Sequence, residues 1–225
     1  DYPLLAQLSS NAETLIANLG EQNQLVTTRL QLLNGFERRA DSTLAAATNL
    51  VDLSETLVSN ASAGASAVVA GLYGLIDDAG MHTQAYEALD RLIEQDIYLL
   101  DRMWELRLRS SQLALLTNRL SRAATRDEVL ALSRDFASNL RIVKRRVSGI
   151  DDPIRREQAE EQLLALRAAV GEMKVNSSLF EDRLRLIAIA EDLEKVAESN
   201  RLLSGKLTDV SQTVVGNARS FALAA

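Results

Sequence analysis

Cysteine is absent from this chain, and histidine occurs once, at His82. The first absence excludes disulfides, thiolate catalysis and Cys-ligated zinc. The second removes Glu-x-x-His di-iron sets and the Ser-His-Asp triad, and His82 sits in an expected turn. Proline and glycine are scarce, two and ten in 225 residues, and no glycine-rich phosphate loop is present. Aromatic side chains make up 4% and do not interleave with a basic stripe. With a net charge of −6 and a pI near 5.0, the chain has no general attraction for phosphate backbones, which argues against nucleic acid as a partner. The longest uncharged run, Thr56 to Ile76, carries Ser59, Asn60, Ser62, Gly64, Ser66, Gly71 and Gly74. It is too polar and too rich in small residues for a membrane span and reads as a closely packed helix.

What the chain does have is a long hydrophobic beat. From Leu179 onward, Leu179, Leu186, Leu193, Asn200, Leu207, Val214 and Phe221 recur at sevens, with Ile189, Val196, Leu203 and Val210 as the companion stripe. Such a seam predicts one unbroken helix to the C-terminus. The N-terminal segment keeps the same beat through Leu5, Ala12, Leu19, Val26 and Leu33, with Leu8, Leu15, Gln22, Arg29 and Phe36 on the neighbouring positions. It predicts a first helix from Pro3 to about Glu37, weakened near Gly20, then a corner at Arg38-Arg39 and a second helix ending near Asp77-Asp78-Ala79-Gly80.

A third helix follows from Leu92, Leu99, Leu106, Leu113 and Leu120, running from about Thr83 to Arg122. Thr125-Arg126-Asp127-Glu128 is a capping box that starts helix four, whose inward face is Val129, Leu132, Phe136, Leu140, Val143 and Val147. Asp152-Pro153 caps helix five, with Ile154, Ala159, Leu163, Leu166 and Val170 facing inward and Gly171 closing it. The fold class is all-α: an elongated antiparallel bundle, read as two stacked four-helix bundles sharing two long helices. One bundle is expected from residues 1–98 and 197–225 and the other from 99–196, with both chain ends at one tip.

Polar residues that interrupt an apolar seam are the best pointer to a site. Gln22 and Arg29 do so in helix one, Asp96 in helix three and Asn200 in helix six. Counting equal rise from the helix turns places Asp96 opposite Asn200 and Arg29 near the same level. Such a cluster either binds a small polar or charged ligand, or is a self-satisfied layer that fixes register. Tyr98, Trp104 and Arg107, with Arg141 and Arg145, form a second candidate: an aromatic and guanidinium surface for a carboxylate, a cationic head group or a protein partner. The alternative is that they cover surface apolar area. The runs Lys144-Arg145-Arg146 and Arg155-Arg156 read as solvated faces beside Glu157, Glu160 and Glu161, or as a docking rim. Asp77-Asp78 and Asp151-Asp152 are accounted for by helix ends and caps. No metal, cofactor or catalytic set is expected.

The strings Leu8-Ser9-Ser10-Asn11-Ala12-Glu13-Thr14-Leu15-Ile16, Met103-Trp104-Glu105-Leu106-Arg107 and Glu198-Ser199-Asn200-Arg201-Leu202-Leu203 through Val214-Val215 carry a resemblance. With them the whole chain resembles the extracytoplasmic sensor domain of TorS-type hybrid histidine kinases, the trimethylamine-N-oxide sensor group. It is similar in architecture to the helical bimodular domains of chemoreceptors. The resemblance implies signal detection, direct or through a periplasmic binding protein docked on the bundles, and transmission by small helix displacements in a homodimer. In such kinases the domain lies between two membrane helices, which would account for the chain's abrupt ends and absence of a signal peptide. The expectation is therefore a non-catalytic sensory piece of a longer bacterial inner-membrane protein. A chemoreceptor ligand-binding domain or a non-receptor helical scaffold are the alternatives.

Overall fold

The computed structural model describes residues 2–77, 80–172 and 178–224. Asp78 and Ala79, at the expected end of the second helix, lie outside them, as does the side chain of Phe221. All the regular structure of the described residues is helical, in the order α1 (Tyr2–Asp77), α2 (His82–Arg91), a π-helical segment (Leu92–Ile97), α3 (Tyr98–Arg122), α4 (Arg126–Val147), α5 (Pro153–Ala169) and α6 (Leu179–Ala224). Among these residues no helix is long and apolar enough to cross a membrane.

The expected corner at Arg38-Arg39 does not exist: α1 runs unbroken for 76 residues. Arginine, alanine and leucine around it are strong helix formers, and no proline interrupts them. Gly20 does not break α1 either, since one exposed glycine costs only about 1 kcal/mol relative to alanine. α6 is the single rod the seam predicts, 46 residues long.

Two compact units divide the chain at 35/36 and 183/184: residues 1–35 with 184–225, and residues 36–183. The helix count predicts boundaries at 98/99 and 196/197. The difference follows from α1, which never turns back at residue 38 and so brings no second helix to the smaller unit. That unit consists of two helical segments, one from α1 and one from α6, where a four-helix bundle was expected.

The larger unit holds nearly all of the buried core. Phe36, Ala40, Thr43, Ala47, Leu50 and Ser54 form the inward stripe of α1, spaced by threes and fours. Met103, Leu106, Leu113 and Leu120 of α3 and Leu166 of α5 are buried with the α4 face Val129, Leu132, Phe136, Leu140, Val143 and Val147, as their periodicity predicts. Phe136 meets Phe180 edge-on at 5.5 Å between ring centroids. Ile154 is exposed instead of inward, because the buried face Ala159, Leu163 and Leu166 extrapolates back to 155 and 156.

Both predicted N-caps form. Thr125 Oγ1 accepts the Glu128 amide at 3.3 Å, and the Glu128 carboxylate accepts the Ala124 amide at 3.1 Å. Asp152 accepts the amides of Ile154 and Arg155 at 2.9 and 3.2 Å. Gly171 ends α5 at φ +76°, its amide bonded to the Ala168 carbonyl and that of Glu172 to the Arg167 carbonyl, 3.1 Å each. An L side chain at that φ is strained. Gly171→Ala is therefore expected to lower unfolding free energy by about 1–2 kcal/mol, read as a lower urea midpoint at unchanged slope; a wild-type midpoint would contradict the left-handed cap.

Candidate functional site

In the smaller unit, half-buried Leu4, Leu8, Asn11, Leu15, Asn18, Gln22 and Leu25 mark one stripe of α1, and half-buried Ile189, Leu193, Val196, Asn200, Leu203, Leu207, Val210 and Val214 mark one stripe of α6. Each set alternates threes and fours, so each helix turns one seam toward the other. Of the described residues in this unit, Leu186 alone is a buried apolar side chain. A second stripe stands one residue further along: Leu5, Leu19 and Val26 remain 50%, 51% and 40% exposed. Of the beat most visible in the N-terminal sequence, Leu5, Leu19 and Val26 are thus left uncovered by their own chain, while Ala12 and Leu33 are half-buried.

Within that seam lies a polar layer. Asn200 donates from Nδ2 to Gln22 Oε1 at 3.2 Å, and Asn18 donates to Ser199 Oγ at 3.0 Å. Asn200 Oδ1 and Asn11 Nδ2 are buried atoms without a hydrogen-bond partner. An amide oxygen deprived of water and of a donor is costly, which makes this layer incomplete.

Of the four residues expected to share a level, the structure joins Gln22 and Asn200. Arg29 belongs to the same unit but is exposed, and Asp96 belongs to the larger unit. The level count assumed that α3 and α6 face each other along one bundle, whereas Asn200 finds its partner on α1. Asp96 is the fifth residue of the six-residue π-helical segment and lines a cleft of about 330 Å³ with Leu57, Leu99, Met103, Ile150 and Asp151.

The second candidate set divides as well. Arg107 stacks on Trp104 at 5.1 Å and reaches Glu55 of α1 at 3.5 Å. Tyr98 lies beneath Arg102 at 5.8 Å, while Arg141 and Arg145 are exposed on α4. Much of the basic run is committed internally: Arg146 pairs with Glu105, and Lys144 with Glu172 at 3.1 Å. Beyond this region, α1, α2 and the π-helical segment pack only a thin cluster around Leu72, Ala85 and Leu92. Tyr73, Tyr86, Ile93 and Ile97 are left more than half exposed.

Sequence reasoning missed one group. Asp182 is completely buried and pairs with Arg39, and the neighbouring Arg183 donates twice to the Ala123 carbonyl, at 2.9 and 2.7 Å. A signal was available, because Asp182 sits seven residues before Ile189 and thus extends the companion stripe of α6 backward with a charge.

A family model described as the sensor domain of sensor protein TorS matches residues 1–224. Sensor protein TorS of Escherichia coli (strain K12) is 27% identical over 197 residues, covering 86% of this chain. The chain spans only 20% of that relative's length. Among solved structures, the chain is similar to the TorS sensor domain crystallised as a complex with TorT in the presence of TMAO. The TM-score is 0.81 at 29% identity, covering 96% of this chain and 77% of the other. The sensor domain of the V. parahaemolyticus histidine kinase sensor TorS shares the fold at a TM-score of 0.70 and 20% identity, covering 96% of this chain and 74% of that one.

The charged surface supplies its own test. Burial works against ionisation of Glu172, but hydrogen bonds from Lys144 and Arg167 outweigh it and hold the carboxyl below its ordinary value of 4.5. A carboxyl depressed in the folded state stabilises above its unfolded pKa, and that contribution is lost as pH falls below 4.5 through the folded value. Glu172→Gln should therefore flatten the acid limb of a urea-midpoint profile, by less than about 1 kcal/mol at so exposed a site. A variant with the wild-type acid limb would contradict the network.

Proposed function

The chain belongs to the TorS sensor-domain family, and on that premise we propose that it is the extracytoplasmic sensor of a membrane-bound two-component histidine kinase. It reads its stimulus through a periplasmic binding protein and passes it on by helix displacement. The kinase's catalytic parts are not in this chain, which fulfils a sensory role without chemistry of its own. Support for the partner comes from the related sensor domain crystallised with TorT, at 29% identity. The exposed tyrosines and isoleucines of the α1–α2 region supply an apolar surface of the kind protein partners cover.

The observation that carries the mechanism is the uncovered seam of the smaller unit. Two helices satisfy a strict two-position stripe, but the arc here is wider and includes Leu5, Leu19 and Val26. A second copy would close it as a four-helix bundle. The homodimer then has a polar layer of Gln22 and Asn200, with Asn18 and Ser199 beside it, within a largely apolar seam, a device that penalises every register but one. Differential binding of a partner needs to supply only about 1–3 kcal/mol to bias two such packings.

Two outcomes are expected in the intact receptor. Removing the binding protein's gene abolishes the reporter response to trimethylamine-N-oxide as probe, and an undiminished response would contradict protein-mediated sensing. Asn200→Leu raises the melting temperature of the 225-residue chain while reducing the stimulated response; unchanged signalling would reject a switching role for the layer.

A further inference from the structure

We infer that Arg39 and Asp182 form a register latch: a buried ion pair that positions the first turns of α6 against α1 and thereby sets the basal output of the receptor. The inference rests on the sensory reading above. Asp182 has no exposed surface, and the Arg39 side chain is one-third exposed. Around them the start of α6 is held from several sides. Ser178 and Glu181 form a reciprocal cap, with the Ser178 amide on the Glu181 carboxylate at 3.0 Å and the Glu181 amide on Ser178 Oγ at 3.1 Å. Arg183 clamps the Ala123 carbonyl at the turn between α3 and α4 and lies 5.9 Å from the Phe36 ring centroid.

Stability does not require an ion pair here, because well-packed apolar residues in place of a buried pair are often neutral or stabilising. Its distinguishing property is that it tolerates one geometry. Seams of leucine and alanine slide past one another with graded loss of contact. A carboxylate with no exposed surface, moved out of reach of its guanidinium, loses that charge-assisted contact without gaining water in its place, and that state is disfavoured. Each residue of axial slip displaces α6 by 1.5 Å along its axis, enough over one or two residues to break the pair. Phe36 and Arg183 are the terminal residues of the larger unit, so the latch sits where α1 and α6 leave it. A change of register there is passed on along the same continuous helix. Asp182 and Arg39 are positioning residues in this scheme and touch no ligand.

The informative variant is the double replacement Arg39→Met/Asp182→Leu, since Asp182→Leu alone strands a cation and destabilises the fold. In the 225-residue chain the double variant should melt at or above the wild-type temperature. Its amides between 184 and 193 should nevertheless exchange hydrogen about tenfold faster or more, as local opening is released. In the full-length receptor, basal output without stimulus should shift about fivefold or more, and the exchanged pair Arg39→Asp/Asp182→Arg should return it toward wild type. Wild-type exchange and wild-type basal output in a folded double variant would overturn the latch, and so would a double variant unable to fold, which would make the pair a stability element. A wild-type receptor with no response to trimethylamine-N-oxide in the presence of its binding protein would count against the sensory reading instead, leaving the exchange result to judge the latch.

Discussion

Two helices cannot bury an apolar arc that extends around more than the side they turn to each other. That constraint governs the smaller unit. Its seam residues on α1 and α6 are half-buried, with Leu186 the single buried apolar side chain among the unit's described residues, while the larger unit encloses Leu50, Leu106, Leu113, Phe136 and Leu166 completely. One unit is self-sufficient in its core, and the other presents a seam for something else to cover. For the proposed sensory role this asymmetry is suited to combining a stable body with a responsive element, because a fully packed core resists small shifts and a shared one can adopt two.

Polar groups placed inside apolar seams are then the natural means of making those shifts discrete. Asn200 with Gln22 in one unit and Asp182 with Arg39 in the other share a logic. Each offers little net stability and penalises misalignment, the best-attested use of buried polar residues in helical assemblies. They differ in cost. An amide pair left half-satisfied forfeits a hydrogen bond, whereas a stranded buried charge forfeits far more, so the ion pair is the stiffer of the two.

Much of this fold was legible in the sequence, for definable reasons. Period and capping are local, and the helix-four face, the Thr125 and Asp152 caps and the unbroken α6 all follow from residues within a few positions of one another. Corners are less local: Arg38-Arg39 looks like a break only if two helices are needed on one side, and nothing in its own chemistry favours a turn. The site was legible in part. Gln22 and Asn200 announce themselves by interrupting the seam, but which helix faces which is a tertiary fact, and the assumed pairing with Asp96 depended on the corner that is absent. Asp182 is less legible, because a charge one heptad before Ile189 does not mark itself as part of an apolar stripe.

The central claim is that a second copy completes the seam of the smaller unit. The absence of native cysteine allows a direct measurement, single-cysteine crosslinking of the intact receptor in membranes under mild oxidation. The account predicts disulfide-linked dimers from cysteines at positions 19 and 26 on the uncovered apolar stripe, and little or none from positions 13 and 27 on the face turned away. Equal crosslinking at all four positions, or crosslinking confined to 13 and 27, would contradict it.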